Sequence, residues 1–335
     1  MLGALLLLAG CGSSGDSADG SDNEATAAAG ESAFPAKVEH KYGTTTVPAE
    51  PKRIVSVGLT EQDTILALGY KPIATTEWFG EQPDAVWPWA QAALGDSKPT
   101  VLHTTDGFEF EKIAALRPDL ILGVNSGMSR ADYDKLSRLA PTIPPGKGST
   151  DYFSPWDTQV ELIAAALGKP EEGRALVKGI EDDYAKVAAA HPDFQGKTAT
   201  LSQNAFYDGL LLVYPDGLAT EFLTMLGFKI NPKLTPLQKE AGKQVAISPE
   251  RLDVIDADVI VFATEKPSDV PALAKVPTFD KLTAVAENRS VYTDRTLAGA
   301  LYFISPLSLP YVLERLTPQL EAAVAGKAPR KVATP

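Results

Sequence analysis

Glu111 precedes Asp119 by eight residues, and Glu250 precedes Asp258 by the same interval. The stretches that carry them, EKIAALRPDLIL and ERLDVIDADVIV, also share a basic residue after the Glu and an apolar run after the Asp. A carboxylate at such a spot suits a helix N-terminus, and left exposed it can meet a basic partner. Metal chemistry is poorly supplied. The three His are His40, before the first core strand, His103, and His191, at a helix end before Pro192, and they are not expected to converge. The one Cys, Cys11, permits neither an internal disulfide nor a Cys/His zinc cluster. No G-x-S-x-G elbow, P-loop or G-x-G-x-x-G is present. No catalytic group and no metal site is expected from these residues.

The acids must be positioned by repeated units. RIVSVG, residues 53–58, reads as a strand buried on both faces, preceded by a short hairpin over 40–50. Thr60 with Asp63 three residues on predicts a capped helix that Gly69 closes. KPIATTE predicts a strand, and a helix from about Glu109 leads into the strand 119–124. SRADYDKLSRLA and PTIPP predict the next helix and strand. From Trp156 to Ala190 the pattern is helical, with one interruption at Gly168-Lys169-Pro170. The alternation then restarts: strand KTATLSQ, helices GLATEFLTMLG and SPERLDVID, strands ADVIVFAT and RSVYTD. A closing helix from Ser305 to Ala325 is expected to bend or break at Pro318. The class is α/β with mostly parallel sheets, in two lobes over 35–155 and 195–330, joined by one long linking helix over 156–194.

The N-terminus has its own chemistry. LLLLAG followed by Cys11 fits a lipobox, in which lipid is joined to Cys11 and residues 1–10 are removed as a signal peptide. The apolar run is too short to span a bilayer, and no Lys or Arg precedes it. Residues 12–33 are Gly, Ser, Ala and acids, so 11–34 is expected to be a lipidated, disordered tether. Its reach is about 25 Å. The net charge of −12 argues against a nucleic-acid partner.

LLAGC, the polar tether, PKRIVSVG, FEKIAALRPDLILG, the long mid-chain helix and SPERLDVIDADVIVF occur in an order that resembles the ferric-siderophore substrate-binding lipoproteins of ABC importers, of the ferric-citrate type. The resemblance implies a class III periplasmic-binding-protein fold. It implies a monomeric, non-enzymatic binder that clasps an iron chelate between its lobes and docks on a permease dimer. It also implies that one exposed Glu per lobe meets basic permease residues. The matching positions are Glu111 and Glu250, with Glu109 a rival for the first. No cofactor is expected beyond the ligand, a ferric siderophore or haem.

Open α/β sheets bind ligands at the carboxyl ends of their strands. That rule selects Thr60 and Glu61, Trp78 and Phe79, Asn125, Ser126 and Met128, and Phe153 and Trp156 in the first lobe and linker. In the second it selects Phe206, Tyr207, Thr264, Glu265, Arg295 and Tyr302. Arg130 and Arg295 are the only evident basic candidates, too few for the clamp that a strongly anionic ferric citrate or catecholate needs. The expectation therefore leans to a ferric hydroxamate, a mycobactin-like chelate or haem. His103, Tyr207, Tyr302 and Met128 are the candidate axial ligands for haem.

Overall fold

Apolar runs with no polar alternation build the centre of each sheet. IVS, LIL and VIVFA are buried at every position, as parallel strands covered on both faces must be. The computed structural model describes residues 33–149, 152–240 and 242–332. The signal peptide, Cys11 and nearly all of the expected tether lie outside them. The tether was expected to reach residue 34, but Phe34 packs on the first core.

An antiparallel hairpin, β1 (Ala36–His40) and β2 (Gly43–Val47), precedes the first sheet. That sheet contains β3 (Ile54–Ser56), β4 (Ala74–Glu77), β5 (Thr100–His103), β6 (Leu120–Leu122) and β7 (Thr142–Ile143). Its order is β5-β4-β3-β6-β7 and every pair is parallel. The order reverses between β3 and β6, so the loops after these two strands flank a topological switch point.

The second sheet contains β8 (Thr198–Tyr207), β9 (Leu210–Tyr214), β10 (Lys229–Ile230), β11 (Val245–Ile247), β12 (Val259–Ala263) and β13 (Ser290–Tyr292). Its order is β11-β9-β8-β12-β13, with β10 also on β8. Only β9 runs against the rest, being antiparallel to both β8 and β11. Both sheets lie in one compact unit, Ala33–Pro335.

The linker is a pair of helices rather than one. Trp156–Ala166 and Pro170–Ala190 are separated at Gly168, whose φ is +70°. The first contributes Ile163 and Ala164 to the first core, and the second contributes Val177, Ile180 and Tyr184 to the second. A Cβ on Gly173 would lie 2.4 Å from the Ala164 Cβ, so glycine permits this close helix contact. SPERLDVID is a 3₁₀ segment, Pro249–Ile255, not an α-helix. The last helix, Ser308–Val324, runs through Pro318 without the expected break. A helix absent from the sequence reading, Arg295–Tyr302, is capped by the Asp294 side chain.

Candidate functional site

Loops at the carboxyl ends of both sheets bring aromatic rings together. Trp78 and Phe79 follow β4, Phe153 precedes the first linking helix, and Tyr302 and Phe303 end the helix Arg295–Tyr302. Trp78 lies edge-on to Phe303 at 5.1 Å, Phe79 is 5.6 Å from Tyr302, and Phe153 is 5.2 Å from Phe303. Trp87 stacks on Trp89 behind them at 5.0 Å and 8°. A Cβ on Gly299 would lie 2.2 Å from the Trp87 ring, so glycine lets the second lobe's helix reach it.

Trp78, Phe79, Phe153, Tyr302 and Phe303 line a cavity of about 420 Å³. Tyr152, Gln203, Leu212, Tyr214, Lys243 and Gln244 complete the lining, with the Tyr214 ring edge-on to Phe153 at 6.2 Å. A larger groove, about 640 Å³, lies between the helices Pro170–Ala190 and Ser308–Val324 and includes no residue from a strand end. The inter-sheet cavity is the candidate site, since it gathers loops at strand carboxyl ends around an apolar wall with a few polar groups.

Beneath the rings runs a polar floor. The Asn125 amide donates to Thr60 Oγ1 at 3.0 Å, Thr60 donates to Gln159 Oε1 at 3.2 Å, and Gln159 Nε2 donates to the Ser154 carbonyl at 2.8 Å. Thr60 therefore uses its hydroxyl on tertiary partners and does not cap the helix Glu61–Ala67. Glu61 accepts from the backbone N–H of Thr60 and of Asn125, clamping the two loops at the switch point. Full burial pushes its carboxyl up to about 7, against those hydrogen bonds. Burial likewise pushes Asp63 up to about 6. Asp63 accepts from Trp89 Nε1 at 2.8 Å and from the Ser305 hydroxyl, so one buried carboxyl ties the two lobes.

The structure thus brings together Trp78, Phe79, Phe153 and Tyr302 on the cavity, with Thr60 and Asn125 in the floor beside it. Other expected residues are elsewhere. Ser126 is buried and donates to the Gly123 carbonyl in its own turn. Trp156 is 4 % exposed within the second core, where its apolar bulk packs. Phe206 packs on the second sheet's other core cluster. The Tyr207 side chain lies outside the description. Arg295 is exposed and does not line the cavity, but its guanidinium lies 5.4 Å from the centre of the Phe79 ring. Arg130 pairs with Asp134 at 2.9 Å and lies over Tyr42 and Tyr133, not at the cavity. Met128 is buried in the first core, and Thr264 donates to the Thr293 carbonyl.

Sequence reading missed Phe303, Gln203, Leu212, Tyr214, Lys243 and Gln244. A signal for part of this set was present. Asp208-Gly209, with φ of +47° and +78°, sits between two apolar runs and is a strong hairpin marker. It turns β8 into β9, which carries Leu212 and Tyr214 to the cavity.

Residues 54–297 match the model of the periplasmic binding proteins. The chain belongs to the periplasmic binding protein family. This is a family of substrate binders rather than enzymes. The chain is 30 % identical over 272 residues to the "Probable siderophore-binding lipoprotein YfiY" of Bacillus subtilis, covering 78 % of this chain and 77 % of that one. Among solved structures, a periplasmic solute binding protein from Mycobacterium smegmatis is 40 % identical, with a TM-score of 0.80 over 86 % of this chain and 98 % of that one. PiaA of Streptococcus pneumoniae in complex with ferrichrome is 26 % identical, with a TM-score of 0.76 over 87 % and 99 %. Among the described residues of this family member, no three His, Cys, Asp or Glu form a metal-binding group.

Proposed function

We propose that this chain is the extracytoplasmic receptor of an ABC importer, and that its cavity captures a ferric siderophore of low charge for delivery to the permease. The cavity lining carries the reading: seven aromatic residues line it, and Lys243 is the only cation among the described residues that do. Such a lining suits a neutral or weakly charged chelate, such as a ferric hydroxamate, better than ferric citrate with its excess negative charge. Relatives named for siderophore and Fe(3+)-citrate binding support the iron assignment. Their lipoprotein names support lipidation at Cys11 and anchoring at the membrane surface.

Haem gains no specific support. His103 is exposed away from the lining, Met128 is in the core, and the Tyr302 hydroxyl lies 2.7 Å from Glu265 Oε1. Titration of intrinsic Trp fluorescence tests the proposal, because Trp78 lies on the wall. Sub-micromolar quenching by a ferric hydroxamate, and none by its iron-free form, is expected. Response to haemin alone would move the function to haem uptake.

A further inference from the structure

The residues lining the cavity differ in what they offer a ligand. Trp78, Phe79, Phe153, Tyr302 and Phe303 present ring faces and edges. Gln203 and Lys243 present hydrogen-bond donors, and the orientation of the Gln203 amide is fixed. Gln203 Oε1 accepts from Gln244 Nε2 at 2.7 Å and from the Tyr214 hydroxyl at 3.3 Å. Both of its lone pairs are used, which leaves the Gln203 NH₂ to donate. Beside it, Lys243 is held through its backbone. Its carbonyl accepts from Gln238 Nε2 at 2.8 Å, and its N–H donates to the Glu240 carbonyl at 3.2 Å. Its side chain is exposed, and the ammonium has no partner among the described residues. Glu265 accepts from the Tyr302 hydroxyl at 2.7 Å, and its charge also reaches Tyr214.

We infer that Lys243 and Gln203 form a charge-selecting end of the cavity, which favours an iron chelate bearing one anionic oxygen group over the same chelate neutral or cationic. The inference rests on the siderophore reading above and adds the sign of the ligand's charge. An ammonium beside a low-dielectric aromatic wall projects its field into the cavity. A single carboxylate on the ligand would meet both donors, while the rings take the apolar body of the chelate. In a chain with 43 acidic and 31 basic residues, this preference cannot arise from net charge, which would repel an anion.

Three forms of one chelate separate charge from shape: ferrioxamine B with its free ammonium, its N-acetyl form, and its N-succinyl form, all with the same iron centre. The full chain, titrated with each by fluorescence or calorimetry, is expected to bind the succinyl form best and the ammonium form worst. Steps of about two- to fivefold are expected, the range for a solvent-exposed ion pair. Lys243→Glu inverts the order, Lys243→Gln flattens it, and high salt narrows the spread in the native protein. Circular dichroism of both variants checks that they fold. Equal affinity for all three forms, or an order unchanged in Lys243→Glu, overturns the charge inference and leaves the siderophore reading standing. If none of the three binds, both fall together.

Discussion

Glu61 and Asp63 lie two residues apart in the first turn of the helix after β3, and this fold withholds both carboxyls from water. Burial raises each above its unfolded value, so the native state holds their protons more tightly. Their contribution to stability is full below the unfolded pKa and is lost as pH rises through about 6 for Asp63 and about 7 for Glu61. The melting temperature is therefore expected to fall between roughly pH 4 and pH 7 and to level off above that. Asp63→Asn should make that fall shallower, and a pH series of thermal melts checks it. An identical slope in the variant would contradict the assignment. Aromatic residues in the loops beyond strand ends were legible in the sequence, hence Trp78 and Phe79, with Tyr302 read close by. The role of Thr60 was not, because its partners Asn125 and Gln159 lie 65 and 99 residues away and local spacing does not encode them.

The repeated unit of Glu and Asp resolves into two roles at the scale of the element. Asp119, just before β6, accepts the backbone N–H of Lys52 and Arg53 at 2.8 Å, where neighbouring β3 begins. Asp258, just before β12, accepts the N–H and hydroxyl of Thr198 at 2.8 Å, where neighbouring β8 begins. Each Asp thus brackets the first strand of its sheet. Asp119→Ala or Asp258→Ala should cost about 1–3 kcal/mol, measured by denaturant unfolding. Glu111 and Glu250 are exposed at the first turns of their helical segments. Glu109, the rival, is engaged by the His103 N–H and Lys112. The proposed docking role predicts that Glu111→Ala with Glu250→Ala leaves ligand affinity unchanged and abolishes import in cells, since exposed charges steer association and register. Undiminished uptake would remove the role. Continuous apolar runs made the parallel strands easy to read. The reversed β9 was harder, since LLLVY is as continuously apolar as the parallel strands and only the Asp208-Gly209 turn distinguishes it.

At the scale of the molecule, two sheets meet across a shared set of rings, with Asp63 tying the lobes through Ser305. The family and the two-lobed class were legible because the order of motifs along the chain is more specific than any one of them. The polar part of the cavity lining was not, because Gln203, Lys243 and Gln244 come from β8 and the approach to β11, far in sequence from the rings they join. Paired linking helices, packed on both cores, make a stiff connection. Small-angle scattering should show no large change on ligand binding, and a large lobe rotation would contradict that stiffness. Phe303→Ala, which removes a ring shared by Trp78 and Phe153, should weaken ligand binding by roughly tenfold, by calorimetry. The most direct test of the account is to locate the iron in crystals of the protein grown with a ferric hydroxamate, using anomalous diffraction at the iron edge. One iron is expected in the cavity, among Trp78, Phe303, Gln203 and Lys243. Iron bound instead in the groove between the helices Pro170–Ala190 and Ser308–Val324 would contradict it.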